Sequence, residues 1–320
     1  MTDAARQEGS GVHPAVDPYG RSVGGLRLSV TQRCDLNCSH CHKEGQRPSA
    51  EEMTPEEIGR IARVSASIGI RRVKLTGGEP LMRPDISEIV RLVSGAVSEV
   101  SLTTNGQKLA GFVDGLKGAG LARVNISLHS RDREVYRRLC GSTSVGSVVD
   151  GVTKAVAAGL NPVKVNMVIF KGVNDDAIDD MIQFCAGTGT ILQLIEYEAT
   201  REGAGTREFQ ERHFPLADVE KRLAEQAFEV QLNELHRRRR YTIQPDGRKV
   251  VVEVVRPMHN TEFCAHCTRL RMTSDGRLKP CLLDPSGEVD VLTPMRAGAA
   301  DEELRALFLE AVSKRRPYWR

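Results

Sequence analysis

Six of the eight cysteines in this 320-residue chain fall into two tight sets: Cys34, Cys38 and Cys41, then Cys264, Cys267 and Cys281. Three thiols are one ligand short of a closed structural site, because zinc takes four ligands and a 4Fe-4S cluster has four irons. Each set therefore suits a metal group with one position left for something else. Zinc completed by histidine stays open at both places, with His40 and His42 beside the first set and His259 and His266 beside the second. In a chain of this size without an apolar leader, clustered cysteines point to metal rather than disulfides. The lone Cys140 and Cys185 read as small buried hydrophobes.

These ligands need elements to position them. The first set follows directly on a β-rich run at residues 26–31, and further runs lie at 71–75, 99–103, 122–128, 163–170 and 191–196. Helical patterns fall between them, at residues 54–68, 84–93, 148–158 and 176–185. The first opens with Thr54 as N-cap, Pro55 at the first helical position, then Glu56 and Glu57. Six β-then-α units predict a parallel sheet with right-handed crossovers. The expected fold is α/β, a partial (βα)6 TIM-like barrel whose strand-end loops open on the catalytic face.

The alternation breaks near Thr200, which divides the chain into a flexible lead-in (1–22), the barrel (23–200) and a C-terminal extension (201–320). The extension carries a helical pattern at 216–228 and two hairpins. One pairs 241–243 with 249–255 around Pro245-Asp246-Gly247, and the other pairs 270–273 with 277–281 around Ser274-Asp275-Gly276. It therefore reads as a small β-containing unit that holds the second cysteine set.

At 40% hydrophobic and 27% charged, the composition permits a packed core, and with 4% aromatics that core must be aliphatic. A net charge of +3 is too mild to argue for nucleic acid and is compatible with an anionic small substrate. No nucleic-acid partner is expected. Arg237 to Arg240 reads as a solvated turn before a strand, and Asp175 with Asp176 as a helix N-terminus. No run approaches the ~18 apolar residues of a membrane span, so no membrane association and a cytoplasmic location are expected.

Cys34-x3-Cys38-x2-Cys41 resembles the signature of the radical S-adenosylmethionine (SAM) superfamily. Gly77-Gly78-Glu79-Pro80, Thr103-Thr104-Asn105-Gly106 and Ser127-Leu128-His129-Ser130 follow at the next three strand ends, in that superfamily's order. The resemblance implies a 4Fe-4S cluster whose free iron binds SAM, and reductive cleavage to a 5'-deoxyadenosyl radical. The stretch from Phe263 through Cys264-x2-Cys267-Thr-Arg-Leu-Arg-Met-Thr to Pro280-Cys281-Leu282 resembles the C-terminal motif of the GTP 3',8-cyclase family of molybdenum-cofactor biosynthesis. That likeness runs from about residue 19 to residue 283. It implies a second 4Fe-4S cluster on three cysteines, and conversion of GTP to (8S)-3',8-cyclo-7,8-dihydroguanosine 5'-triphosphate. It also implies a flavodoxin- or ferredoxin-type or other reductant, and a downstream cyclic pyranopterin monophosphate synthase.

Carried over position by position, Arg27, Lys74, Thr103, Lys164, Arg269, Leu270 and Arg271 fall where the family contacts GTP. His40, Gly78, Ser127 and Glu198 fall at its SAM positions. His129, at a strand end, is read as a loop or packing residue, with a place at the cavity mouth kept open, and no general acid or base is assigned. Three departures stand out: Gln193 where many members have a basic residue, Glu198 where Met is frequent, and Arg316-Pro-Tyr-Trp-Arg320 in place of a Gly-Gly tail. A radical SAM enzyme that modifies a peptide is the alternative, although such enzymes usually carry more than three auxiliary cysteines.

Overall fold

In the first strand, Gly25–Ser29 (β1), Leu26 and Leu28 are buried in the core while Arg27 between them faces the other side, the period-two alternation of a pleated strand. The computed structural model describes residues 13–320. Arg72–Thr76 (β2), Glu99–Thr104 (β3), Arg123–Ser127 (β4), Val163–Ile169 (β5) and Ile191–Glu196 (β6) follow β1 as parallel neighbours in chain order. The helices Pro55–Ala66, Ile86–Ser94, Leu109–Gly118, Val145–Ala157 and Ile178–Thr188 connect them, and their buried residues join the outer strand face in one apolar cluster. Thr54 caps the first of these as expected. Its hydroxyl accepts the Glu57 amide, and the Glu57 carboxylate accepts the Thr54 amide.

The C-terminal third does not form a separate sheet. Its strands are Glu229–Asn233 (β7), Arg238–Ile243 (β8), Val250–Val255 (β9), Arg269–Met272 (β10), Arg277–Lys279 (β11) and Val289–Asp290 (β12). They extend the six-stranded sheet at both edges, giving the order β12-β11-β10-β1-β2-β3-β4-β5-β6-β9-β8-β7. β9 runs parallel to β6 and β10 parallel to β1. The division near residue 200 is thus a division of the chain and not of the sheet. β7 was not anticipated, although Glu229–Asn233 alternates polar and apolar residues; Val230 and Leu232 stand exposed on it.

The two distant ends of this sheet are tied by side chains. In the turn between β7 and β8, the His236 ring stacks on Phe263 at 3.7 Å, and the His236 amide donates to the His266 carbonyl at 3.0 Å. The sequence-based flexible lead-in lies partly outside the described residues. Within residues 13–22 the expectation fails, because Asp17 and Arg21 are buried and joined at 2.8 Å, with Arg315 on the same carboxylate at 3.0 Å. Among the described residues, no helix is long and apolar enough to cross a membrane.

Candidate functional site

A filled barrel packs branched aliphatic residues along its inner strand faces. Here those faces are polar: Arg27, Lys74, Thr103, Asn125, Ser127, Lys164, Asn166 and Gln193 all line a cavity of about 1010 Å³. The same cavity is lined by all six clustered cysteines.

The first set sits on the loop after β1. Two glycines after β2 hold that loop against the sheet. A Cβ at Gly77 would meet the Thr31 carbonyl at 2.5 Å, and one at Gly78 the Arg33 carbonyl at 2.4 Å. Only glycine permits this backbone contact. The immediate neighbour of the pair is the cysteine loop itself. Glu79 pins the arrangement, accepting from the Leu81 amide (3.0 Å), the Thr104 hydroxyl (2.7 Å) and the Asn105 amide (2.6 Å). Burial pushes its carboxyl up to about 7 against those donors.

Peptide amides approach the sulfurs: Leu36 donates to Cys34 Sγ, Lys43 to Cys41 Sγ and Trp319 to Cys264 Sγ, each at 3.4 Å. Such N–H to sulfur bonds are the usual protein support for iron-sulfur ligands. Three of the histidines weighed for zinc have one ring nitrogen engaged, and among the described residues the buried His40 Nδ1 has no partner. His40 Nε2 lies 3.2 Å from His129 Nε2, His42 Nδ1 accepts from the Glu44 amide, His266 Nδ1 meets the Glu262 carbonyl, and His259 packs on Trp319 at 4.3 Å. Each set brings three thiols to the cavity wall, the donor type that an iron-sulfur cluster takes. His129, for which the sequence keeps a place at the mouth open, lines the cavity. Its Nδ1 accepts the Val168 amide at 3.1 Å, which places its proton on Nε2, toward His40. Burial holds both rings neutral, lowering His40 to about 2 and His129 to about 4.

Between the two sets the inner wall is cationic. Arg271, Arg27 and Lys74 occupy the same level on three adjacent parallel strands. Strand spacing brings such neighbours to about 5 Å apart at the backbone, so like charges there repel unless answered. Glu44 answers two of them, at 2.6 Å from Arg27 and 2.8 Å from Arg271. Burial would raise its carboxyl, but Arg27 and Arg271 hold it well below the usual range. Lys74 Nζ has the neutral Asn125 amide oxygen at 2.7 Å, and burial followed by Arg123 and Arg27 drives its ammonium well below the ordinary lysine value. Arg269 has no carboxylate in ion-pair reach among the described residues, and burial beside Arg238 and Arg27 lowers it to about 9. This wall is built for an anion.

The second set is assembled from separate elements. Cys264 belongs to the short helix Thr261–Ala265, Cys267 leads into β10, and the hairpin of β10 with β11 returns the chain to Cys281. Arg21 donates to the Cys264 carbonyl at 2.9 Å, and Arg315 donates to the Cys267 carbonyl. The two sets approach at Gly45, where a Cβ would meet the Leu282 carbonyl at 2.7 Å.

Of the residues singled out in the sequence, His40, Gly78, Ser127, Glu198, Arg27, Lys74, Thr103, Lys164, Arg269 and Arg271 line the cavity. Leu270 does not. Its side chain is fully buried in the apolar core, because alternation along β10 sends it to the face opposite Arg269 and Arg271. The expected solvated turn at 237–240 is also corrected. Arg238 and Arg240 belong to β8 and face inward onto Glu253, while Arg239 faces outward near Glu220. A period-two reading of the basic run would have separated them. Tyr318 and Trp319, in the tail that departs from the family's Gly-Gly ending, line the cavity as well.

Two family models match this chain: Radical SAM superfamily over residues 28–185 and Molybdenum Cofactor Synthesis C over residues 190–320. A "Probable GTP 3',8-cyclase" of Thermococcus kodakarensis is 51% identical over 305 residues, covering 95% of this chain and 99% of that protein. A protein of the same description from Pyrococcus abyssi is 48% identical over 304 residues, with 95% and 99% covered. The crystal structure of Streptococcus suis SuiB matches with a TM-score of 0.65 at 15% identity, covering 94% of this chain and 68% of that one, which shows the shared fold.

Proposed function

This chain belongs to the GTP 3',8-cyclase family within the radical SAM superfamily, and from that premise we propose how its residues divide the work. The reaction is the conversion of GTP to (8S)-3',8-cyclo-7,8-dihydroguanosine 5'-triphosphate, the opening step of molybdenum-cofactor biosynthesis. Cys34, Cys38 and Cys41 would hold the SAM-binding 4Fe-4S cluster, with His40, Gly78, Ser127 and Glu198 around SAM. When bound, that cluster and SAM supply a 5'-deoxyadenosyl radical. Cys264, Cys267 and Cys281 would hold a second 4Fe-4S cluster on the opposite side of the substrate.

The protein's own task is to bind and orient a highly charged nucleotide between the two thiol sets. Arg27, Lys74, Arg269 and Arg271 meet that anion, and Thr103, whose buried hydroxyl has no partner among the described residues, offers it a donor. Leu270 contributes packing that keeps its two flanking arginines in place. A flavodoxin- or ferredoxin-type reductant and a cyclic pyranopterin monophosphate synthase that takes the product are the partners this reading expects.

The observation that carries the reading is the level row Arg271–Arg27–Lys74, answered by one carboxylate and facing a cavity shared by both cysteine sets. Reduced, anaerobic protein incubated with SAM and GTP should yield 5'-deoxyadenosine and a cyclised nucleotide in step. SAM cleavage that ignores GTP and responds to a peptide would sink the reading and support the peptide-modifying alternative.

A further inference from the structure

The far wall of the cavity holds a second cationic group, in which the family resemblance marks Lys164 but neither Arg238 nor Arg240. Glu253 on β9 is fully buried, and three cations converge on it: Lys164 Nζ at 2.6 Å, Arg238 Nη1 at 2.7 Å and Arg240 Nε at 3.1 Å. They come from two different strands, β5 and β8. Arg238 and Arg240 share a face because residues two apart on a strand point the same way. Gln193 on β6 stands level with Glu253 and adds no charge.

One carboxylate cannot balance three cations. Burial of an unbalanced charge is costly, so a protein keeps such a group only where something else neutralises it. Burial would raise the Glu253 carboxyl, but Arg238, Lys164 and Arg240 outweigh it and hold it at about 2. The carboxylate is thus ionised and already counted, and the remaining charge is positive. Arg123, which also lines the cavity, is matched by Glu99 at 2.6 Å and offers no relief. The arrangement also leaves contacts free. Arg240 keeps 29% of its side chain exposed, and among the described residues its terminal Nη atoms make no hydrogen bond. Arg238 approaches Glu253 Oε1, yet that oxygen lacks an aligned hydrogen bond.

We infer that Arg238 and Arg240, with Lys164 across Glu253, form a phosphate-binding corner that takes part of the polyphosphate of the substrate. The inference rests on the substrate being a nucleoside triphosphate, and it adds two residues to the binding wall. Glu253 acts as a positioning residue, holding the two guanidinium groups and the ammonium at one spacing. Arginine suits this task because its planar fork meets two phosphate oxygens at once.

The probe is inorganic tripolyphosphate, titrated by calorimetry into the anaerobic holoprotein alongside GTP and guanosine. Arg240→Gln should weaken tripolyphosphate and GTP by about tenfold and leave guanosine unchanged, and Arg240→Lys should recover part of the loss. Because Arg240 is the more exposed member, its replacement spares the core. Arg238→Gln is read only where its circular dichroism matches wild type, and the same loss is expected there. Tripolyphosphate and GTP binding unaltered by Arg240→Gln, or a wild-type protein that binds no tripolyphosphate, overturns the corner. Arg240-dependent tripolyphosphate binding in a protein that does not turn over GTP upholds the corner while removing the substrate reading.

Discussion

The two cysteine sets face one cavity but are built in opposite ways. Cys34, Cys38 and Cys41 lie on a single loop that follows β1, and the backbone of residues 31–33 and the glycines after β2 support it locally. Cys264, Cys267 and Cys281 come from a short helix, a strand entry and a hairpin return. Their supports arrive from both distant ends of the described chain: Arg21, Arg315 and the Trp319 amide. A local site is visible as spacing, whereas a composite one depends on the whole fold being in place.

The largest expected effect separates the two sets by chemistry. Cys38→Ala should abolish 5'-deoxyadenosine formation, whereas Cys267→Ala should retain it and lose the cyclised nucleotide, each by about 100-fold or more. Assaying both products for each variant checks this. Equal loss of both products in both variants would erase the contrast.

Next in size is the dependence of the second set on long-range anchors. Arg315 is 1% exposed, bonded to the carbonyls of Arg21 and Cys267 and paired with buried Asp17. Arg315→Ala should cost about 1–3 kcal/mol, the order for leaving buried carbonyls without their donor, since Asp17 keeps Arg21. Denaturant unfolding measures that cost. Iron analysis should show the second site depleted and the first retained, and an even loss from both would contradict the composite picture.

The smallest effect concerns the contact between the two sides. Glu44, on the first loop, bridges Arg27 of β1 and Arg271 of β10. Its folded pKa lies below its unfolded value, so its contribution is complete above the ordinary Glu range and is lost as pH falls through and below it. The loss should be about 2 kcal/mol, the order of a charge-assisted hydrogen bond, and acid titrations of wild type against Glu44→Gln should show it only in wild type. Identical acid slopes would mean that the bridge adds no stability.

Much of the barrel was legible because its signals are local. Six strands and four helices followed from period and from capping residues such as Thr54 and Glu57. Ten of the residues singled out line the cavity: Gly78, Thr103 and Ser127 from the strand-end motifs, where position at a strand's end decides which way a loop opens, and the rest from the family resemblance. Leu270 was misassigned because a motif was read as a block, where strand geometry sorts its members onto two faces. Arg238 and Arg240 were missed for the same reason: a run of like charge hides an alternation that appears only once β8 pairs with β9.

By itself, the sequence determined the two thiol sets, the parallel β/α order and the family, because thiol spacing and strand periodicity are properties of adjacent residues. Only the tertiary structure decided what surrounds that chemistry. The burial of Glu253 under three cations, the use of β9 and β10 to extend both edges of one sheet, and the support of Cys264 and Cys267 by Arg21 and Arg315 all join residues far apart in the chain. Such pairings follow from register and packing, which no local pattern encodes.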